Sequence, residues 1–337
     1  MSSRFLVLLL LCGCRPATPS PSHRGFYAWK TEWHPDAAER QALTSHRIDR
    51  LYLRVFDLGW TANGVRALGQ LRLPPAGVAL ESSIRLVPVV FIENEVLLRT
   101  RESPAEMAAR LVEATETALQ SAGFDELQLD CDWTTSTKAR YFELVDAVRE
   151  RLHSQQRTLS VTIRLHQVKF RERTGVPAAD RGMLMLYNLE PVSEARTKPF
   201  IFAPEVADRY VARLGEYPLP LDLALPIFGA VAVFRGGRPL TLLPLKAAAD
   251  LGWLDAGERS SRTLSTGLAW NGVVLERGDE VIVERVSDRR LAEAVASVAG
   301  RRHFDTVVLF SLDAVALGGL TPASISAALA LAVPAVE

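Results

Sequence analysis

Short runs of β-forming residues alternate with helical stretches along the chain from Gly25 onward. This alternation is typical of repeated strand–helix units, so it predicts a parallel sheet with helices packed on it. Eight runs have the length and composition of strands, namely residues 26–30, 50–56, 85–92, 126–132, 159–166, 183–188, 221–228 and 306–311.

Helical spacing of apolar residues fills most of the intervals between these strands. The clearest helix is predicted over 104–121, with Ser103 as its cap and Pro104 at the first helical position. Eight strands with intervening helices predict a closed (β/α)8 TIM barrel, since an open doubly wound sheet usually has fewer strands and a Gly-rich first turn. The other predicted helices span 137–152, 204–214, 288–299 and 322–331.

The interval 229–286, between the seventh and eighth strands, is too long for one helix and its loops. It contains two Gly-bearing turns flanked by β-forming residues, at 234–239 and 275–279. Such turns are typical of hairpins. The sequence therefore predicts a β-rich insertion inside a single barrel domain that spans 24–337.

The amino terminus has the layout of a secretory signal, with one positive charge before an apolar run too short to span a bilayer. The run ends in Leu11-Cys-Gly-Cys14, which resembles the bacterial lipoprotein box. The resemblance implies a signal peptide at 1–14, a lipid on Cys14, a polar tether at 15–23 and membrane attachment at the cell envelope, by analogy the outer membrane. An ordinary signal peptide or an uncleaved apolar start is the alternative.

Composition removes several function classes. Thirty-nine basic residues balance thirty-nine acidic ones, so no overall field favours nucleic acid. The six histidines show no zinc-binding spacing, and neither a Gly-x-Ser-x-Gly motif nor a phosphate-binding Gly-rich loop occurs. We therefore expect no metal and no cofactor, while the oligomeric state stays open.

Side chains of a barrel strand alternate between the interior and the helix layer, and the apolar set faces the helices. In the fourth strand Leu127, Leu129 and Cys131 form that set. Two alternatives follow for the polar residues turned inward: a self-compensated ion-pair network, or a functional site at the carboxyl ends of the strands. The residues predicted to face inward are Tyr52, Arg54, Phe56, Gln128, Asp130, Asp132, Thr162, Arg164 and His166.

The fourth strand and its continuation, residues 127–134, resemble the Asp-x-x-Asp-x-Asp-x-Glu motif of family 18 glycoside hydrolases, the chitinase-like enzymes. Asp130 and Asp132 match its last two aspartates, whereas Leu127 replaces the first and Thr134 replaces the glutamate that protonates the leaving oxygen. Tyr187-Asn188 is similar to the Tyr-Asp pair that contacts the reacting sugar in that family. The resemblance implies a glycan-binding barrel whose chitinase mechanism does not carry over intact.

A resemblance over most of the mature chain is to the bacterial family called domain of unknown function 3142. It rests on 26–29, on Trp33 with Pro35, on 128–132 and on Arg140-Tyr141. That family has no established reaction, so the resemblance implies only fold and localisation.

A glycosidase needs a second carboxylate across the sugar from the first. Glu93 and Glu190, just beyond the third and sixth strands, are the candidates, and each could instead be a solvated charge or a helix cap. His166 could act as acid or base or as a fixed hydrogen-bond partner. The candidate substrate-binding residues, some of which could equally be core, are Trp29, Arg54, Trp60, Arg164, Tyr187 and Asn188, with Trp33 as a further stacking candidate.

These patterns predict an envelope lipoprotein that binds a glycan at the carboxyl end of its barrel and is a candidate glycoside hydrolase, with Asp130 and Asp132 central. One alternative is a non-catalytic binding module with a degenerate glycosidase site, as Thr134 suggests. The other is a purely structural envelope protein with a neutralised barrel interior.

Overall fold

The computed structural model describes residues 21–74, 80–81, 83–120, 122–189, 191–255, 257–270 and 272–331, with the side chain of Glu194 left out. Most of its barrel strands are followed by helices. In this part of the chain the strands are β1 (His23–Ala28), β2 (Arg50–Thr61), β3 (Gly64–Leu68), β4 (Arg85–Ile92), β5 (Glu126–Asp130), β6 (Thr158–Arg164), β7 (Arg181–Met185), β8 (Leu221–Pro226), β9 (Gly229–Arg235), β10 (Arg238–Pro244), β11 (Arg259–Thr263), β12 (Leu268–Trp270), β13 (Val273–Leu275), β14 (Glu280–Arg285) and β15 (Thr306–Phe310).

Eight of the described strands form a closed parallel barrel in the order β1-β2-β4-β5-β6-β7-β8-β15. Closure is direct, because β1 pairs in parallel with both β2 and β15. The antiparallel strand β3 extends the sheet at the carboxyl end of β2. The predicted (β/α)8 barrel is confirmed, and each of its eight strands overlaps the predicted run.

The helices cover the outside of the barrel. Their clearest start is that of α3, where the Ser103 side chain accepts a hydrogen bond from the Glu106 backbone and Pro104 is the first helical residue, as predicted. None of the helices in the described ranges combines the length and hydropathy needed to cross a membrane. The helices are α1 (Ala37–Ser45), α2 (Asn94–Arg99), α3 (Pro104–Ala118), α4 (Lys138–Ser154), α5 (Leu165–Lys169), α6 (Arg171–Thr174), α7 (Pro204–Val211), α8 (Leu245–Asp250), α9 (Asp288–Val298), α10 (Ala314–Leu317) and α11 (Pro322–Leu329).

The segment between β8 and β15 contains the predicted β-rich insertion. Four of its described strands form an antiparallel sheet in the order β10-β9-β14-β11, and β12 pairs with β13. The insertion has its own apolar cluster, which includes Val231, Trp270, Leu275 and Val281. The β9–β10 hairpin turns through Gly236 and Gly237, both with positive φ, which glycine adopts without steric cost.

A β-bulge in β2 changes the alternation of its side chains. Arg54 is in register with Val89 of β4, but Phe56, two residues later, is in register with Val90, one residue later. The extra residue is Val55. A bulge of this kind reverses the inward and outward assignment of every residue that follows it.

The prediction that Phe56 faces the barrel interior is therefore wrong. Phe56 lies on the helix side, where it lines a small cavity together with Met107 and Leu111 of α3. Asp57 is instead in register with Phe91, which is in register with Asp130. Because of the bulge, the Asp57 carboxylate faces the barrel interior, whereas strict alternation would turn it toward the helices.

Candidate functional site

A cavity of about 580 Å³ lies at the carboxyl ends of β5, β6 and β7. This is the face of a (β/α)8 barrel where binding and catalytic residues usually lie. Its wall also includes Leu242 from the inserted β10 and Tyr210 from α7. Five of the predicted site residues line it: Asp132, Arg164, His166, Tyr187 and Asn188.

Asp132 and Arg164 form a two-pronged ion pair at the cavity wall. The Arg164 Nε donates to Asp132 Oδ1 at 2.5 Å and its Nη2 donates to Oδ2 at 3.0 Å. The Asn94 side chain donates to the Asp132 backbone carbonyl at 2.7 Å, which fixes the loop after β5. The Asp132 side chain is 48% exposed, so its carboxylate keeps free lone pairs that face the cavity.

Asp130, the last residue of β5, lies inside the barrel rather than in the cavity wall. It is 4% exposed, and Thr162 of β6 donates to its Oδ1 at 2.7 Å. Burial raises the pKa of Asp130 to about 6, against the opposing effect of the Arg164 charge, and the neighbouring Asp132 charge adds to the rise. The two aspartates therefore differ: Asp132, in the loop after β5, is paired and accessible, and Asp130, at the end of the strand, is buried.

Below Asp130, polar side chains of three strands are joined by hydrogen bonds across the interior. Tyr27 of β1 donates its hydroxyl proton to Gln128, and the Gln128 Nε2 donates to Ser160 Oγ at 3.1 Å. These contacts run across the barrel interior, and only side chains that face inward can make them. The predicted inward orientation of Gln128, Asp130 and Thr162 is thus what the structure shows.

Arg54 belongs to a second, separate ion pair. Its Nε and Nη2 donate to the two carboxylate oxygens of Asp57 at 2.7 and 2.5 Å, and its Nη1 donates to the Gly69 carbonyl at 3.1 Å. Its guanidinium lies 5.8 Å from the centroid of the Trp29 ring. Arg54 does not line the cavity over Asp132, because the bulge places a carboxylate of its own strand within reach.

His166 lies on a helix and not on the predicted strand. Strand β6 ends at Arg164, whose backbone N–H donates to Gln167 Oε1 at 2.7 Å and so starts α5. The strand assignment for His166 is therefore wrong. The residue still reaches the cavity, because the first turn of α5 passes its edge, and its side chain is exposed there.

The structure does not bring Glu93 and Trp60 into this cavity. Glu93 is the N-cap residue of α2 but makes no capping hydrogen bond with its side chain, whose Oε2 instead accepts a hydrogen bond from the Trp60 backbone at 3.3 Å. Trp60 lines another cavity, beside Arg99. Glu190 and Cys14 lie outside the described residues, so their predicted roles stay predictions.

Trp29 lines a second cavity, of about 510 Å³, whose wall includes Phe310 and also Leu242. The Phe310 ring stacks on Tyr187 with centroids 5.0 Å apart and contacts Trp29 at 5.7 Å. A row of aromatic rings therefore runs from one cavity to the other, and Leu242 lies in the wall of both. Trp33, by contrast, is buried in the core.

The sequence prediction missed Phe310 and Leu242. Alternation along the eighth strand could have found Phe310, since Val307 and Leu309 are its outward neighbours. Leu242 has no such signal, because it reaches the cavities from an insertion whose position over the barrel depends on tertiary packing.

Thr134, at the position of the family 18 acid, lies in an exposed loop. Its hydroxyl exchanges hydrogen bonds with Ser136 at 2.9 Å and Thr137 at 3.2 Å. Among the described residues that line the cavity, Asp132 is the only carboxylate. The described residues also contain no group of three or more His, Cys, Asp or Glu side chains placed to hold a metal ion.

Neither a model of a known protein family nor a curated protein sequence matches the chain. The resemblance to domain of unknown function 3142 therefore stays a prediction.

Solved structures do match the fold at low sequence identity. The spore cortex-lytic enzyme SleL of Bacillus megaterium superposes with a TM-score of 0.60 and 12% identity, over 96% of this chain and 76% of that one. A chitinase of Chromobacterium violaceum gives a TM-score of 0.54 with 13% identity, and the Group IV chitinase of Ostrinia furnacalis gives 0.56 with 11%; each match covers 91% of this chain and 98% of the other. The chain thus has the (β/α)8 barrel fold of chitinase-like structures.

The pKa of Asp130 predicts a specific dependence of stability on pH. Its carboxyl group ionises near 3.8 in the unfolded chain and near 6 in the folded protein. Because the folded pKa is raised, the stability that protonated Asp130 contributes is full below pH 4 and is lost as pH rises through 6. The free energy of unfolding of the wild type, minus that of Asp130→Asn, should fall by about 2 to 3 kcal/mol between pH 4 and pH 7.

Urea denaturation of both proteins at a series of pH values measures this difference. Subtracting the Asp130→Asn curve removes the titration of the groups that do not interact with Asp130. A difference that is constant, or that rises with pH, would show that Asp130 is not a buried carboxyl group with a raised pKa.

Proposed function

We propose that the chain is a glycan-binding protein of the cell envelope, with its binding site in the cavity over Asp132 and Tyr187. The observation that carries the proposal is the pairing of a half-exposed carboxylate with an aromatic wall in one cavity. The cavity volume of about 580 Å³ is in the range of small-molecule sites, which combine apolar walls with a few fixed polar groups.

The polar part of the site suits sugar hydroxyl groups. A hydroxyl group both donates and accepts hydrogen bonds, so it can donate to the accessible Asp132 carboxylate. The Arg164 fork holds that carboxylate in one orientation and compensates its charge. A preorganised acceptor of this kind loses little conformational freedom when a ligand binds.

The apolar part of the site suits the C–H face of a sugar ring. Tyr187 lies in the wall, and Phe310 and Trp29 continue the aromatic row into the neighbouring cavity. Phe310 and Trp29 are partly exposed and offer apolar ring surface with few rotatable bonds, whereas Tyr187, 3% exposed, offers only the part of its ring that reaches the wall. Because Leu242 borders both cavities, a linear oligosaccharide that fills both would cross this side chain.

The geometry supports binding better than hydrolysis. Thr134 supplies no acid, and Asp132 has no second carboxylate opposite it among the described residues of the cavity wall. Hydrolysis remains a second candidate because Asp130, with a pKa of about 6, could exchange a proton near Asp132. Against it, Asp130 is buried beneath the cavity and its Oδ1 accepts from Thr162.

The structural neighbours support a carbohydrate ligand by analogy. One of them, a Group II chitinase domain of Ostrinia furnacalis with 11% identity and a TM-score of 0.53, is solved as a complex with a chitin oligosaccharide. Shared architecture does not transfer a substrate.

The full chain should bind at least one glycan in a panel of envelope and exopolysaccharide oligosaccharides and release no reducing ends from it. Asp132→Ala should weaken that binding by about tenfold or more, because it removes the acceptor and leaves the Arg164 guanidinium unpaired. Calorimetry and a reducing-end assay on the same samples measure both properties.

Asp125→Ala is the matched control. Asp125 also pairs with an arginine, Arg85, but at the amino end of the same strand, with both side chains well exposed. It should leave affinity unchanged. Unchanged affinity in Asp132→Ala would refute the site, release that disappears in Asp132→Ala would establish a hydrolase, and absence of all binding would leave the structural alternative.

Attachment to the envelope rests on the lipoprotein-like segment that ends in Cys14. Cys14→Ser should abolish incorporation of a labelled fatty acid in a bacterial host and shift the protein from the membrane fraction to the soluble fraction. Cys12→Ser, two residues earlier in the same segment, should change neither. Labelling that persists in Cys14→Ser would contradict the anchor.

A further inference from the structure

Three cationic residues, one each from α4, α5 and α6, are linked by contacts at the junction of these helices. The Lys138 Nζ donates to the Arg173 backbone carbonyl at 3.1 Å. Lys169 and Arg173 both approach the ring of Phe170, at 5.4 and 4.8 Å from its centroid. We call Lys138, Lys169, Phe170 and Arg173 the basic rim.

The basic rim contacts the cavity wall at the aromatic ring of Tyr210. The Lys169 Nζ lies 4.8 Å from the centroid of Tyr210, and Tyr210 lines the cavity over Asp132. His166, one turn before Phe170 on the same segment, lines the same cavity. A ligand in the cavity can therefore extend onto the basic rim without leaving the protein surface.

The charges of the rim are not compensated locally. Among the described residues, no carboxylate lies within ion-pair distance of Lys138, Lys169 or Arg173. The neighbouring Arg171 and Arg213 differ, since both pair with Glu172 and Glu216. Because the whole chain is neutral, with 39 acidic and 39 basic residues, this excess of positive charge is a local feature.

We infer that the basic rim binds an anionic substituent of the glycan that occupies the cavity, so the ligand class is a carboxylate- or phosphate-bearing oligosaccharide. The inference rests on the proposed function and specifies its ligand. Aromatic contacts hold the Lys169 and Arg173 side chains in place while leaving their N–H groups free to donate to an anion. Phe170, 38% exposed, adds an apolar surface for a sugar ring beside them.

A glycan fits the rim better than a membrane surface does. Segments that bind anionic lipid headgroups usually carry clusters of about four to eight basic residues. The rim has three, and it is continuous with a cavity through Tyr210. An anionic group attached to a cavity-bound sugar is the ligand that uses both features.

The test compares matched anionic and neutral glycans with the full chain. The pairs are oligogalacturonate and its carboxyl-reduced form, peptidoglycan fragments with free and with amidated carboxylates, and mannose oligosaccharides that carry a phosphate monoester, before and after phosphatase treatment. The wild type should bind the anionic member of at least one pair about tenfold more tightly at low ionic strength, since two exposed charge contacts contribute a factor of about three each. Added salt should reduce this preference.

The double variant Lys169→Gln/Arg173→Gln should lose the preference and keep the affinity for the neutral member. The control Arg66→Gln/Arg277→Gln makes the same change in net charge at exposed positions outside the rim and should keep the preference. The pairs also tell a carboxylate ligand from a phosphate ligand.

Equal binding of anionic and neutral glycans, or a preference that survives in the Lys169→Gln/Arg173→Gln variant, would overturn the inference and leave the proposed function intact. No binding of any glycan would overturn the proposed function itself. Loss of binding to anionic lipid vesicles in the double variant, with unchanged glycan preference, would assign the rim to a membrane instead.

Discussion

The ion pair between Arg164 and Asp132 sets the chemistry of the barrel's carboxyl end. Arg164 ends β6 and Asp132 lies two residues beyond β5. The Arg164 side chain is only 19% exposed, so without Asp132 its charge would lie near the barrel interior with no carboxylate paired to it. With the pair formed, Asp132 is fixed and accessible. The same guanidinium lies near Asp130, where its attraction opposes but does not cancel the effect of burial on the pKa. The two aspartates therefore have different properties. Asp132 is an accessible hydrogen-bond acceptor, and Asp130 is a buried carboxyl group with a raised pKa.

The cavity depends on parts of the chain that are far apart in sequence. Strand β6 supplies Arg164, the loops after β5 and β7 supply Asp132 and Tyr187, and the insertion supplies Leu242. The last of these also borders the cavity beside Trp29. The barrel therefore positions the polar groups of the cavity. The insertion, through Leu242, forms part of the wall of both cavities along the aromatic row. Substitutions that adapt the site to a different ligand would then be expected in the insertion and in the basic rim, because exposed side chains there can be replaced with little loss of core packing.

The regular part of this arrangement could be predicted from the sequence. The eight strands and the inward orientation of Gln128 and Asp130 follow from alternation of apolar residues, which holds wherever a strand is regular. It fails at Phe56, because a bulge inserts one residue before it and no local signal marks the bulge.

The ends of strands and the contacts between distant segments are also hard to predict from the sequence. His166 was placed on a strand because the apolar pattern of β6 continues into α5, whereas the Gln167 side chain ends the strand at Arg164. Glu93 was a reasonable partner for Asp132 by position after its strand, but its hydrogen bond to Trp60 holds it away from the cavity. Contacts between distant segments, such as those of Leu242, require the folded chain.

A crystal structure of the protein with a bound oligosaccharide tests the central claim most directly. The account predicts a sugar ring in the cavity beside Tyr187, with a hydroxyl group donating to Asp132 and the Arg164 fork still in place. A sugar bound at another site, such as the separate cavity beside Trp60, with the cavity over Asp132 empty, would contradict it.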